Sequence, residues 1–255
     1  MSFPVIKSIT SALLTAATLS FPVFTFAASN NNGTAPVTGF ARSFPLSFAI
    51  TNAKITVLET GQTYQTDANG NFGPINHPIG KPITLVLEKF GYKTTQSATI
   101  IVPPEGLIGP YDNITFQVPE LATFYLLIAA VGATIDDNSC HLTATVTGYH
   151  KTLNDDRQGE VGAVVTLSPR VDVKPFYFGV FEEGPLKDKT NPFAKGLTAV
   201  SGDGGIAFFN LPPSDQPYTL SAVKPGVIFN DAQFLCRKGA FINISPPRGP
   251  SVQKQ

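Results

Sequence analysis

The chain has 255 residues, with 18 basic and 18 acidic side chains and no formal net charge at pH 7. Only 14% of the residues are charged, and no local basic cluster is present, which excludes the electrostatics of a nucleic-acid-binding protein. Apolar residues make up 42% of the chain, and 22 Gly and 22 Pro are spread along it, which predicts short strands and turns around two domain-sized cores.

The first residues, 1–27, are predicted to be a secretory signal peptide. Lys7 precedes an apolar run over residues 9–26, and small residues stand before a cut after Ala27. An uncleaved membrane anchor is the alternative, but a run of about 18 residues is at the lower limit for a span. We therefore expect a secreted or periplasmic protein with no membrane span after cleavage.

The first half of the mature chain is predicted to be a linker and one domain. Residues 28–43 begin with an Asn-rich polar stretch and read as a flexible linker. Residues 44–118 contain short alternating runs bounded by Gly, Pro, Asn or Asp, which predicts an antiparallel β-sandwich. Residues 63–72 are predicted to form a β-hairpin in which Gly70 takes a positive φ. The predicted strands are 46–50, 54–58, 63–66, 71–73, 82–88, 97–102 and 113–118.

The second half is predicted to repeat this plan. Residues 119–139 lack alternation and contain good helix formers ahead of Gly132, so we expect a short buried helix that joins the domains. Residues 140–246 are predicted to be a second β-sandwich, with strands at 141–148, 162–167 and 240–244 and an additional segment at 169–195. Residues 247–255 are predicted to be a loose tail.

Two cysteines, Cys140 and Cys236, are the only ones in the chain. In an exported protein they are expected to form one disulfide within the second domain, and this bond would close a long loop. Two free buried thiols are the alternative, since the oxidising compartment is itself inferred.

An internal repeat relates the two halves at a spacing of about 134 residues. Its members are turn glycines, prolines and strand residues, such as Gly70 with Gly204 and Lys89 with Lys224. The repeat predicts a duplicated module, and it contains no acids, bases or nucleophiles that would indicate a duplicated active site.

A family resemblance follows from the first copy of this repeat. Thr-Asp-x-x-Gly-x-Phe at 66–72 and Lys-x-Gly-Tyr at 89–92 resemble the carboxypeptidase regulatory-like domain, a transthyretin-like β-sandwich. The second copy matches more weakly, because Asp203 and Gly205 alter the turn. The resemblance implies two tandem transthyretin-like sandwiches without activity of their own, and structural relatives that bind carbohydrate or protein. It supplies no set of binding residues.

The histidines limit any metal site, because only His77, His141 and His150 are present. His77 matches a leucine in the second copy of the repeat and is expected at a turn. His141, His150 and Tyr149 are similar to the iron ligands of intradiol dioxygenases on a related sandwich. That ligand set needs a close pair of histidines after its tyrosines, and no histidine follows His150. We therefore expect no metal and no cofactor.

Calcium binding is not expected either. The turn at 67–70 has oxygen-bearing side chains, but no bidentate Glu follows at the distance a calcium loop requires.

Hydrolytic chemistry has weak support. The chain has no Gly-x-Ser-x-Gly motif, and the adjacent Glu182 and Glu183 would point to opposite sides of a strand. No catalytic residue is therefore assigned. The alternative is a small secreted enzyme or effector, whose site would bring together His150, Asp155, Asp156 or Glu182 in the loops of the second domain.

One aromatic segment could bind a ligand. Phe176, Tyr177, Phe178 and Phe181 would form either part of the core or an exposed row suited to stacking on sugars or packing on a partner. The function predicted from the sequence is an exported, non-enzymatic binding or surface-interaction protein, whose ligand is an unknown protein or glycan.

Overall fold

The structure, a computed structural model, describes residues 33–254. The predicted signal peptide lies outside the described residues, as do the start of the predicted linker and the last residue of the tail. The described residues are mainly β-strands, arranged in several sheets. In the first half the strands are β1 (Thr34–Phe44), β2 (Lys54–Val57), β3 (Thr63–Gln65), β4 (Asn71–Pro78), β5 (Pro82–Glu88), β6 (Thr95–Ile101) and β7 (Ile114–Pro119).

One helix, α1 (Leu121–Ala130), precedes the strands of the second half. These are β8 (Cys140–Thr145), β9 (Val164–Ser168), β10 (Phe176–Tyr177), β11 (Gly179–Val180), β12 (Thr190–Asn191), β13 (Gly205–Leu211), β14 (Tyr218–Val223), β15 (Phe229–Asn230), β16 (Ala232–Phe234), β17 (Phe241–Ile244) and β18 (Ser251–Val252).

The first half packs two sheets around one apolar cluster. One sheet has the strand order β4-β1-β7, and the other contains β6-β5-β2-β3. Alternating side chains from both sheets meet between them, and Val37, Ile55, Leu85 and Phe116 are all fully buried there.

Strand β1 replaces most of the predicted flexible linker. It pairs with β4 on one side and with β7 on the other, so it lies at the centre of its sheet. Its inward side chains are mostly small, among them Ala35, Ala41 and Ser43. The alternation of large apolar and polar residues that predicts a strand is therefore weak over this segment.

The predicted hairpin at 63–72 is wrong, although its turn is present. Gly70 has φ +76°, and the Asp67 carboxylate accepts the backbone N–H groups of Asn69 and Asn71 at 2.8 Å. However, β3 pairs with β2, whereas β4 pairs with β1. The turn therefore carries the chain from one sheet to the other.

The second half also packs two sheets around a cluster. The order β13-β8-β17 faces the order β16-β14-β9. The predicted disulfide is confirmed: Cys140 in β8 and Cys236 just after β16 are bonded, and their Cα atoms are 5.5 Å apart. Both cysteines are fully buried, so the bond ties the two facing sheets together through the core.

The two halves use the same pairing scheme. In the first, β1 is antiparallel to β4 and parallel to β7; in the second, β8 is antiparallel to β13 and parallel to β17. The parallel pairs correct the expectation of purely antiparallel sandwiches, and they arise because the first strand of each half, β1 or β8, runs beside a late strand of the same half, β7 or β17, in the same direction. Repeated glycines also match, since Gly70 and Gly204 both have positive φ.

One sheet continues through both halves. Strand β6 pairs in parallel with β17, which gives the eight-stranded order β10-β13-β8-β17-β6-β5-β2-β3. At this junction the buried Gln96 donates to the Leu235 carbonyl at 2.8 Å and accepts from Arg237 at 2.9 Å. Ile100 contacts the apolar clusters of both halves. The described residues accordingly belong to one compact unit.

Helix α1 lies within the predicted connector but is only half-buried. Phe124 and Ile128 pack on β13 and β17, whereas Tyr125 and Leu126 are 62% and 61% exposed. The helix ends as predicted, because Gly132 has φ +67° and donates to the last turn. Within residues 33–254, no helix has the length and apolarity needed to cross a membrane.

The predicted loose tail is packed as far as the structure describes it. Strand β18 pairs with β15, and Thr147 bonds with Pro250 and Val252 through its backbone. A Cβ on Gly249 would lie 1.9 Å from the Thr145 carbonyl oxygen, so this glycine permits the close approach of the chain.

Candidate binding site

A groove of about 520 Å³ lies between α1, the turn at 44–47 and the loops at 153–158 and 181–193. We call it the α1 groove. Leu126 and Leu127 contribute the helix wall, and Phe181 and Phe193 line the loop wall. The groove exists because the predicted additional segment of the second half folds back toward α1 instead of extending into solvent.

A small pocket of about 80 Å³ continues the groove beneath the helix. The two cavities share wall residues, including Phe44, Leu127 and Asp203. Phe124 from the helix and Phe209 and Phe241 from the sheet form the apolar part of its wall, and polar side chains such as Gln117, Asn243 and Asp203 form the rest.

Large apolar side chains remain exposed beside the groove. Leu46, Leu126, Leu186 and Phe193 line it and are each more than half exposed. Isolated exposed apolar residues are ordinary on protein surfaces, but several of them along one cavity mark an interaction surface.

Ion pairs hold the outer rim of the groove. Arg157 binds both Asp188 and Glu182, the latter at 3.2 Å, and Lys189 binds Asp156 at 3.1 Å. The hydrogen bond that Arg157 donates to the Asp188 carboxylate is the main cause of the raised pKa of Arg157. These pairs connect the 153–158 loop to the 181–193 loop, and their two cations face three carboxylates. The excess is a single negative charge, so the rim offers no strong field to a charged partner.

Asp203 is the carboxylate at the bottom of the groove. It accepts a hydrogen bond from Thr190 at 2.6 Å and one from the Gly205 backbone at 2.9 Å. Burial raises the pKa of Asp203, and these two hydrogen bonds oppose that shift. The same residue stabilises the turn before β13, which accounts for its position in the repeat.

The histidines named in the sequence analysis lie apart from the groove. His77 does not lie at the expected turn: it is a buried residue of β4 opposite Ala35, and its ring contacts the Pro82 carbonyl at 2.9 Å, which indicates a structural role. His141 is also buried, and its Nδ1 accepts the Asn210 backbone N–H at 3.1 Å. Burial is the main cause of its lowered pKa, and the charge of Lys93 adds to it.

The pocket expected for a secreted enzyme is assembled only in part. Asp155 and Asp156 line the α1 groove, and Glu182 reaches its rim through Arg157. His150 lines a different cavity, where it stacks against tyrosines. Glu183 is exposed in the loop. Among residues 33–254, no group of three or more His, Cys, Asp or Glu side chains is arranged to hold a metal ion.

The aromatic segment belongs only in part to the interior. Tyr177 is 6% exposed, and its hydroxyl oxygen accepts the Val165 backbone N–H at 3.1 Å. Phe178 packs against the cluster beneath α1, and Phe176, which is 37% exposed, meets the ring of Phe209 edge-on. Tyr177 and Phe178 therefore pack into the interior, whereas Phe176 is exposed and Phe181 lines the α1 groove, so the four side chains form neither one exposed row nor one core segment.

Asp155, Asp156 and Phe181 are named from the sequence and do line the groove, but its exposed aliphatic wall has no such signal in the sequence. The sequence predicts Leu126 in a buried helix and Leu46 in a strand, whereas both side chains are exposed and Leu46 lies in a turn. The local signal that indicated a site was the length of the 169–195 segment, because long loops with little secondary structure often carry function.

Comparisons with known proteins do not assign the chain to a family. No family profile matches the chain, and no curated protein matches it in sequence. Among solved structures, the Bacillus anthracis TIE protein is 17% identical with a TM-score of 0.28, and the match covers 87% of this chain and 35% of that protein. The chain thus spans about a third of that protein's length.

Two pilins are also similar. A double mutant of the shaft pilin SpaA from Lactobacillus rhamnosus GG is 11% identical with a TM-score of 0.26, covering 87% of this chain and 99% of the pilin. The Streptococcal ancillary pilin is 12% identical with a TM-score of 0.24, covering 88% and 64%. At such scores, these likenesses carry no argument about function.

Proposed function

We propose that the chain is an exported, non-enzymatic surface-interaction protein that binds a protein partner through the α1 groove. The exposed apolar wall of that groove is the observation that carries the proposal. Export is supported by the N-terminal sequence and by the buried disulfide, because such bonds persist in oxidising compartments outside the cytosol. The proposed location is secreted or periplasmic.

We also propose that the scaffold is two tandem transthyretin-like sandwiches related to the carboxypeptidase regulatory-like domain, with residues 119–139 as the connector. Three observations support it: the sequence repeat, the shared pairing scheme of the two halves, and the presence of a separate apolar cluster in each half.

The proposed occupant of the groove is an apolar peptide segment of a partner protein. Full burial of one large aliphatic side chain contributes about 1.5–3 kcal/mol, and Leu126, Leu186 and Phe193 all have area left to bury. The small pocket beneath α1 offers an anchor position at the inner end. Because the rim charges are already paired with one another, the attraction is expected to come from apolar contact.

A peptide selection tests this function. Random peptides displayed on phage are selected on the mature chain, residues 28–255, and the enriched peptides are measured by calorimetry. We expect peptides with at least two large apolar residues, and Leu126→Asp should weaken them at least about tenfold, since it places a charge in the contact. Val223→Asp is the matched control, because Val223 is 60% exposed and lies on β14, outside the groove.

Two results count against this function. Either the selection enriches no apolar peptide, or the enriched peptides bind both variants as strongly as the original chain. A hydrolase or oxygenase activity of the mature chain that a single polar substitution abolishes would contradict the non-enzymatic assignment.

One observation favours a second candidate, a small secreted enzyme. Asp203 is a partly buried carboxylate with a raised pKa in the groove, which is an environment that suits a general acid. If this candidate is correct, a hydrolase substrate screen should find turnover that Asp203→Asn removes and that Asp155→Asn alters less. If the screen finds no turnover, this candidate is wrong.

A further inference from the structure

A second cavity, of about 430 Å³, lies away from the α1 groove and is lined by a stack of three rings. The imidazole of His150 lies 4.3 Å from the ring of Tyr111 and 3.8 Å from the ring of Tyr149, measured between ring centres. The ring planes differ by only 13° and 18°, so the imidazole lies between the two phenols. We call this the ring-stack cavity.

Three separate parts of the chain build the cavity. Tyr111 precedes β7 in the first half, Tyr149 and His150 follow β8 in the second, and the segment 251–254 closes one side. The tyrosine rings retain free surface, since Tyr111 is 45% exposed and Tyr149 is 42% exposed. The stack therefore presents aromatic faces beside an open cavity.

The backbone of His150 adopts a left-handed conformation that fixes the position of its ring. His150 has φ +54°, in a turn where the Lys151 N–H reaches the Gly148 carbonyl at 3.4 Å. This left-handed conformation favours glycine, and other residues adopt it at an energetic cost. Residues held in such conformations concentrate at functional sites.

The rest of the wall supplies hydrogen-bonding groups. The side-chain amides of Asn230 and Gln253 line the cavity, together with Ser251 and Thr147. Thr147 is 1% exposed, and within residues 33–254 its hydroxyl has no hydrogen-bond partner. The cavity thus combines an aromatic surface with neutral donors and acceptors.

Charge contributes little to this combination. Asp112 at the wall pairs with Arg248 at 3.4 Å, and Lys151 pairs with Asp155 at the same distance. Lys254 also lines the cavity and forms no ion pair among residues 33–254, so the wall carries one exposed unpaired cation, which contributes only weakly to the binding of a charged ligand.

We propose that the ring-stack cavity binds a neutral saccharide. A pyranose ring has an apolar face of C–H groups that packs on an aromatic ring, and a rim of hydroxyl groups that both donate and accept hydrogen bonds. These are the two kinds of group that the cavity provides. This inference rests on the proposed role as an exported binding protein, and it assigns a ligand class to a site distinct from the α1 groove.

Calorimetry and ligand-observed NMR of the mature chain test the proposal. The probes are neutral oligosaccharides built from glucose, galactose, mannose or N-acetylglucosamine, with sialylated and sulfated oligosaccharides as charged comparisons. We expect at least one neutral probe to bind, with an affinity that changes less than about twofold when salt is raised from about 50 to 500 mM, because no ion pair is formed.

Three variants locate the site. Tyr149→Ala should weaken binding at least about tenfold by removing a stacking face. His150→Gly should preserve the turn, whose φ suits glycine, and also weaken binding because the stack loses its centre. Tyr125→Ala is the matched control, since Tyr125 is an exposed tyrosine on α1, and it should leave the affinity unchanged. Thermal unfolding confirms that each variant is folded. If Tyr149→Ala does not fold, the saccharide affinity of His150→Gly is the deciding measurement.

The outcomes separate this inference from the proposed function. If no neutral probe binds, if only charged probes bind, or if Tyr125→Ala weakens binding as much as Tyr149→Ala, the saccharide site is wrong. Leu126→Asp should reduce peptide binding in the groove and leave saccharide binding unchanged. Loss of peptide binding alone would therefore count against the groove, and absence of saccharide binding alone would count against the ring-stack cavity.

Discussion

Removal of the Cys140–Cys236 bond should destabilise the second half far more than the first. The bond joins residues 96 apart in sequence, and a loop of that length contributes about 4–5 kcal/mol on the chain-entropy description. Both cysteines are fully buried, so replacing the pair by alanines also loses some apolar contact in the core. For a slope of about 2 kcal/mol per molar urea, the midpoint should fall by roughly 2 M.

Urea unfolding and hydrogen exchange measure this effect. The Cys140→Ala, Cys236→Ala double variant is compared with the oxidised chain, and non-reducing mass spectrometry first verifies the linked peptides. Exchange protection should be lost mainly in β8, β14 and β16, because neither cysteine belongs to the apolar cluster of the first half. A loss of less than about 1 kcal/mol, or equal deprotection of β2 and β5, would refute the reasoning.

Three further changes have defined outcomes. Thr66→Val should lower the free energy of unfolding in urea by about 2–4 kcal/mol, because the buried Thr66 hydroxyl accepts one backbone hydrogen bond at 2.8 Å and donates another at 2.6 Å. The control, Thr63→Val at an exposed position, should change stability by less than about 0.5 kcal/mol, and equal effects of the two variants would contradict this. Gly39→Ala should cost more than about 3 kcal/mol of stability, since its Cβ would lie 1.9 Å from a carbonyl oxygen of β7. Gly61→Ala should cost only about 1 kcal/mol, because its Cβ meets no atom within 4 Å and only the φ of +70° opposes the change. Thermal unfolding compares the two variants. The pKa of His141 is lower in the folded state than its ordinary value of 6.5, so the unfolded chain takes up the proton first and stability should fall as the pH drops from about 7 to 5. His141→Gln should make the urea midpoint less dependent on pH over this range, and an unchanged dependence would show that another group causes it.

The sequence predicted those elements whose signals are local. Strand β5 has the predicted bounds, because its apolar run is closed by a proline and by charged residues. The presence of two cysteines in a chain expected to be exported was enough to predict the disulfide. Strand β1 was missed because its inward positions are held by Ala, Val, Gly and Ser, and its position depends on pairing with β4 and β7 far along the chain.

Turn chemistry also has limits as a signal. Asp67 and Gly70 stabilise the turn as predicted, but the same turn can join two strands of one sheet or strands of two facing sheets. Which of these occurs depends on the partners of β3 and β4, and these lie outside the local sequence.

The candidate sites were harder to predict, because each combines separate segments. The α1 groove needs the turn at 44–47 beside loops that follow residue 153, and the ring-stack cavity places Tyr111 beside His150. In the sequence, Tyr149 and His150 resemble possible iron ligands. Their actual contacts are with an aromatic ring that no spacing in the sequence could indicate.

The parallel pairing of β6 with β17 means that the two halves cannot be exchanged as independent cassettes. A fragment cut within residues 131–139 would turn β6 or β17, both largely buried strands, into an edge strand with one unpaired side, and such an edge invites association with other chains. Gene fusions or truncations of this protein should therefore keep residues 33–254 together.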